Sequence, residues 1–144
     1  MKADPVRLML VEDNPADVFL IQTALELSDV AIQLSVAWNG QDALEQLWKL
    51  PEEQQPNLIL LDLNMPRMNG FELLAAVRAD PALAHLAVVM LTTSNAAADV
   101  ERAYALQVNS YISKPANLEE FLQLIELLKV YWFKAVSLPV TYVP

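Results

Sequence analysis

Cysteine is absent from this 144-residue chain, which excludes disulfides and thiolate metal sites and makes a cytoplasmic setting the default expectation. Histidine occurs once, as His85 in a loop after Asp80-Pro81. With no second histidine to partner it, a haem, chromophore or histidine–metal site has no support. No apolar run approaches the roughly 20 residues that cross a bilayer, and the stretch before Glu12 is too short for the apolar region of a signal peptide. No membrane association is expected. Positive charge is sparse: nine Lys and Arg are scattered among 18 Asp and Glu, giving a net charge of −9. Nucleic-acid binding needs clustered cations that release counterions, so that class is disfavoured. Apolar side chains, in contrast, make up 55 % of the chain. That share suits a sheet covered on both faces, and the length suits one domain with a substantial core.

Short apolar runs alternate with helical patterns from end to end. After the run Val6–Val11, Asn14 suits an N-cap, Pro15 the first helical position and Asp17 the favourable end of the helix dipole. Val18, Ile21 and Leu25 continue that helix, and Ile32–Ala37 reads as a second strand. Asn39-Gly40 alone would signal a hairpin, but Ala43, Leu44, Leu47 and Trp48 have helical spacing, so Asn39 reads as a cap. Leu58–Leu61 is the third strand. The loop Asn64-Met65-Pro66-Arg67-Met68-Asn69-Gly70 leads to a helix over 71–79. A strand over 87–91, a helix over 97–106 and a short strand Ser110–Ser113 follow. The last helix starts at Asn117, with Glu120 three residues on as a capping box, and is expected to run to about residue 134. Five strand–helix pairs predict an α/β fold: a flavodoxin-like, doubly wound (βα)5 unit with a parallel five-stranded sheet of order 2-1-3-4-5.

Chemistry in such a sheet gathers at the carboxyl ends of neighbouring strands. Glu12-Asp13 closes the first strand and Asp62 the third, and the order 2-1-3-4-5 makes those strands neighbours. Carboxylates there can hold a hard cation such as Mg²⁺, or one can act as a nucleophile toward phosphorus. Each is ambiguous by itself, since Glu12-Asp13-Asn14 also suits a plain helix-capping cluster and Asp62 a plain turn. Thr92 and Lys114 end two further strands with a hydroxyl and an ammonium. A cation site, a carboxylate, a hydroxyl and an ammonium together describe a pocket that handles phosphoryl groups.

Val11-Glu12-Asp13-Asn14, Leu61-Asp62-Leu63-Asn64-Met65-Pro66…Gly70, Leu91-Thr92-Thr93-Ser94 and Tyr111-Ile112-Ser113-Lys114-Pro115 resemble, in order and at matching spacing, the receiver domains of two-component response regulators. Asp-Leu-Asn-Met-Pro, Leu-Thr-Thr-Ser-Asn, Tyr131-Trp132-Phe133 and Ser137-Leu138-Pro139 are similar to a narrower group, the single-domain regulators paired with bacterial phytochromes. The resemblance implies a phosphorelay protein in which Asp62 is the phosphoacceptor for a histidine kinase, here a bacteriophytochrome. It implies Mg²⁺, with Mn²⁺ as a substitute, bound by Asp13, Asp62 and the Asn64 carbonyl directly and by Glu12 through water. Lys114 and Thr92 are implied as partners of phosphoryl oxygens, Tyr111 as an aromatic switch, and Lys114–Pro115 as a cis bond that aims the ammonium inward. Two positions depart from the usual pattern. Asn109 stands where many receivers have glycine, and asparagine tolerates the left-handed backbone such a turn uses. Ala87 stands where proline often opens the fourth strand.

Two rival functions follow from the same residues. A small phosphatase with an aspartate nucleophile resembles Asp-x-Asp, but the second position here is Asn64, an amide with no proton to donate. A pseudo-receiver acting only as an interaction module is expected to lack the phosphoacceptor, a metal carboxylate or the lysine, and this chain has all three. The expectation is therefore a phosphoacceptor and not an enzyme, beyond self-catalysed phosphoryl transfer and slow autodephosphorylation. The receiver is expected over 1–134 and an apolar tail over 135–144 with no output domain, so signalling would pass through protein contacts. Leu118, Phe121, Leu122, Ile125, Leu128 and Trp132 form a stripe for the sheet. Leu124, Leu127 and Tyr131 form a second stripe, which with the uncharged tail predicts a homodimer interface.

Overall fold

A computed structural model of the chain describes residues 5–29 and 31–130. Five strands, β1 (Val6–Val11), β2 (Ile32–Ala37), β3 (Leu58–Leu61), β4 (Ala87–Thr92) and β5 (Ser110–Ser113), alternate with five helices. The helices are α1 (Pro15–Glu26), α2 (Gly40–Lys49), α3 (Gly70–Ala79), α4 (Ala97–Ala105) and α5 (Leu118–Leu128), with a short 3-10 turn at Glu52–Gln54. All strand pairs are parallel and the order is β2-β1-β3-β4-β5. Both the class and the order agree with the expectation from sequence.

The central strands read as unbroken apolar runs because helices cover both faces of the sheet. In β3, Ile59 and Leu61 join Met9, Val11, Val88 and Met90 in one core under Ala43, Leu44, Leu47, Leu73, Leu74 and Val77 of α2 and α3. Leu58 and Leu60 face the other way, joining Leu8, Leu10, Val89 and Leu91 beneath α1 and α5. Phe121 and Ile125 seal that second layer with Val18 and Ile21. Truncating a side chain as buried as Phe121 costs about 3–5 kcal/mol, so α5 is integral to the domain.

Asparagines start four of the helices. Asn14, Asn39, Asn69 and Asn117 each accept a backbone N–H of the first turn, from Ala16, Asp42, Glu72 and Glu120 respectively. Only α4 begins without a side-chain cap, at Ala96. The complete reciprocal capping box is at Asn69–Glu72. At Asn117 the return bond differs from expectation, because the Glu120 carboxylate accepts the N–H of Ala116.

Two further expectations are corrected. No peptide bond among the described residues is cis, so Lys114–Pro115 is trans, the form favoured by roughly 0.5–1 kcal/mol. The lysine needs no inward kink, because the Lys114 N–H donates to the Thr92 carbonyl at 2.8 Å and continues the β4–β5 ladder. The left-handed residue of the α4–β5 turn is Gln107 (φ 68°), not Asn109. There the Gln107 and Val108 N–H groups donate to the carbonyls of Tyr104 and Ala103, a Schellman ending that places the strained residue just after the helix. Asn109 accepts the Val88 N–H at 2.7 Å instead, and so opens β4 in place of a proline.

Leu127 is 70 % exposed on α5, while Leu124 packs partly on the α1 side of the core. Tyr131, the expected end of the helix near 134 and the tail over 135–144 lie outside the described residues. No helix among the described residues is long and apolar enough to cross a membrane.

Candidate functional site

The sheet's register carries the acidic residues together. Backbone pairing extends one residue beyond β1 and β3: the Glu12 N–H donates to the Ala37 carbonyl and the Asp62 N–H to the Val11 carbonyl, both at 3.0 Å. Glu12 and Asp62 are buried, Asp13 is exposed, and each places a carboxylate oxygen within 4.8 Å of the others. Asn64 is exposed two residues beyond Asp62, at the start of the loop to α3.

Lys114 reaches into this cluster from the end of β5. Its Nζ lies 3.1 and 3.2 Å from the two Glu12 oxygens, 2.9 Å from Asp17 Oδ2 and 3.5 Å from Asp62 Oδ1. Sequence reasoning placed Asp17 only at the helix dipole. Its position in the first turn of α1, on the strand end that bears Glu12 and Asp13, was the one available signal of a second role. Thr92 is fully buried at the end of β4, and its Oγ1 accepts the Ser94 N–H at 3.4 Å. Tyr111 is half-buried on β5; its hydroxyl donates to the Ser94 carbonyl at 2.8 Å, and its N–H donates to the Tyr104 hydroxyl. The structure therefore gathers Glu12, Asp13, Asp62 and Lys114 at one point. Tyr111 sits one loop away, tied to the segment that follows Thr92.

The charges are poorly balanced. Burial, with the Asp62 charge next, pushes the Glu12 carboxyl up to about 8 against the pull of Lys114. Burial also raises Asp62, aided by Asp13 and opposed by Lys114 and a hydrogen bond with Glu12. Burial alone would lower the Lys114 ammonium, but Asp17, Glu12 and Asp62 together raise it, so it stays charged. Three carboxylates crowded in a partly dry site, all oxygen donors, fit a hard divalent cation. His85 is exposed in the α3–β4 loop, away from the cluster.

Comparison with known proteins agrees with this geometry. Residues 8–126 match the response regulator receiver domain family. The response regulator Rcp1 of Synechocystis sp. is 38 % identical over 138 residues, covering 94 % of each chain. The crystal structure of its Mn²⁺-bound form superposes with a TM-score of 0.84 over 94 % of this chain and 99 % of that one. The phosphorylated cyanobacterial phytochrome response regulator RcpA gives a TM-score of 0.86 at 38 % identity, with the same coverage. The bacteriophytochrome response regulator AtBRR gives 0.71 at 37 % identity, covering 90 % of this chain and 96 % of that one. With the (βα)5 fold, the clustered carboxylates and this full-length similarity in agreement, the chain belongs to the response regulator receiver domain family and is related to the phytochrome response regulators.

Proposed function

We propose that this chain is a phosphorelay response regulator that accepts one phosphoryl group on Asp62 from a histidine kinase of the bacteriophytochrome class. The observation that carries the reading is the meeting of Glu12, Asp13 and Asp62 with the buried Lys114 ammonium 3.5 Å from Asp62. An Asp62 oxygen attacks phosphorus, the O–P bond forms as the P–N bond of the donor histidine breaks, and the imidazole leaves with a proton. Lys114 supplies positive charge to a phosphoryl oxygen, and Thr92 a hydroxyl to another. Asp13, Asp62 and the Asn64 carbonyl would hold Mg²⁺ directly, and Glu12 would hold it through water. The bound ion offsets the charge of the carboxylates and phosphoryl oxygens. Mn²⁺ serves the same donors, and the Mn²⁺-bound form of Rcp1 supports that reading.

The new charge of about −1.5 to −2 draws Thr92 inward and rearranges the Ser94 segment that Tyr111 holds. Output passes through protein contacts in the cytoplasm, including a homodimer that uses the exposed Leu127 face of α5. Asn64 cannot protonate a leaving group, so the protein is a phosphoacceptor and not a turnover phosphatase. Intact-mass measurement after incubation with acetyl phosphate and Mg²⁺ tests the reading. One added phosphoryl group is expected, absent in EDTA and in Asp62→Asn. Equal labelling of Asp62→Asn would sink the assignment, and robust hydrolysis of p-nitrophenyl phosphate lost in that variant would favour the enzyme.

A further inference from the structure

The chain contains only two glycines, Gly40 and Gly70. Neither has a positive φ, so backbone freedom does not explain them. Space does. A Cβ at Gly40 would lie 2.6 Å from the Met68 carbonyl oxygen and 2.7–2.8 Å from its side chain. A Cβ at Gly70 would lie 2.6 Å from the Asp62 carbonyl oxygen and 2.9 Å from Leu63 Cα. Both glycines press on the one loop that carries Asp62 and Asn64, from opposite ends. Gly40 also donates its N–H to Met68 O at 3.1 Å, and Gly70 donates to Leu63 O at 2.9 Å.

We propose that Gly40 is a positioning residue for the metal and phosphoryl site: the bare first turn of α2 is the seat on which the loop between Leu63 and Gly70 rests. Asp62 and Asn64 stand at one end of that loop, and its far half needs the seat. Arg67 is held at φ 68°, a conformation that costs a non-glycine residue energy and persists only when its neighbours enforce it. Met65 anchors one side of Arg67 in the core, and Met68, braced on Gly40, anchors the other. A side chain at position 40 pushes the Met68 carbonyl away, frees Arg67 to relax, and shifts the Asn64 carbonyl relative to Asp13 and Asp62. Gly70 restrains the same loop from the Asp62 side. The three atoms nearest a side chain at position 40 all belong to Met68, so the effect is transmitted through the loop.

This inference rests on the metal-binding reading above, and one experiment separates the two. Calorimetric Mg²⁺ titration is run on wild type, Gly40→Ala and Leu47→Ala, together with amide exchange in EDTA. Leu47 is buried two turns along the same helix, and its truncation serves as a destabilised control that leaves the Gly40–Met68 contact in place. Gly40→Ala is expected to weaken Mg²⁺ binding about tenfold, as loss of a group supporting metal ligands does, with Leu47→Ala within about twofold of wild type. Faster exchange in Gly40→Ala is expected over residues 62–70. A folded Gly40→Ala with wild-type affinity overturns the proposal, as does an equal loss in Leu47→Ala. Should Gly40→Ala not fold, Met68→Ala removes the side chain beyond Cβ that braces the loop on Gly40 and anchors it in the core; weaker Mg²⁺ binding is expected, and unchanged binding overturns the seat. A wild type that binds no Mg²⁺ removes the function proposed above and this inference with it.

Discussion

In the absence of metal, the fold should lose stability as pH rises from 6 to 8. Glu12 ionises near its ordinary 4.5 in the unfolded chain but at about 8 in the folded one, chiefly through burial. Between those values the folded state holds one more proton than the unfolded state. The stability slope is then negative, roughly 1.4 kcal/mol lost per pH unit. Allowing for half-ionisation at the upper limit, the loss from pH 6 to 8 is about 2 kcal/mol. For a domain of this size that is roughly a 6 °C fall in melting temperature. The raised Asp62 acts in the same direction. Saturating Mg²⁺ favours the ionised carboxylates and binds only the folded state, so its protection is larger at pH 8 than at pH 6. Thermal unfolding in EDTA and in excess Mg²⁺ at both pH values reads this directly. Glu12→Gln, which has no such proton, should show a flatter profile in EDTA. A wild-type melting temperature in EDTA that is level across this range, or Mg²⁺ protection equal at both pH values, would refute the reasoning.

The arrangement of these side chains carries further expectations. Asp13→Ala should weaken Mg²⁺ binding more than Glu12→Gln if, as proposed, a direct ligand is lost in one and a water-bridged contact in the other; calorimetry showing the reverse order would reassign the ligands. Asp17→Ala releases the Lys114 ammonium entirely to Glu12 and Asp62, and should lower Mg²⁺ affinity by placing a cation closer to the metal's donors. Gln107→Gly should raise stability by up to about 1 kcal/mol by relieving a left-handed non-glycine residue, measurable in urea, with acetyl phosphate labelling unchanged. Leu127→Glu should abolish a dimer detected by light scattering; a wild type monomeric at tens of micromolar, with and without phosphorylation, defeats that interface.

Much of the fold was legible because its central strands are buried on both faces and bounded by turn formers. Val6–Val11 and Leu58–Leu61 could be read directly as apolar runs, the half-exposed outer strands Ile32–Ala37 and Ser110–Ser113 from their place in the strand–helix alternation, and Asn14 and Asn39 as caps. The carboxylate cluster was legible once strand order made β1 and β3 neighbours. Details set by side-chain reach were not. Asp17 meets Lys114 across 97 positions, and no local pattern marks such a pair. The left-handed position was misassigned to Asn109 because residue preference was weighed before geometry; the end of α4 puts the strain at Gln107 whatever residue stands there. Gly40 read only as the second half of the hairpin-like pair Asn39-Gly40, since its contact is with a loop 28 positions away.

β5 is an outer strand of the sheet, and the N–H of its Tyr111 is already given to the Tyr104 hydroxyl on α4. An exposed sheet edge invites extended peptides, or further copies of the same protein, to add as new strands. Here the side chain of α4 occupies the donor such an addition would need. Adding a strand at this edge would first have to displace the Tyr104 hydroxyl from the Tyr111 N–H, which disfavours edge-to-edge polymerisation there and favours partners that read side chains and helix surface.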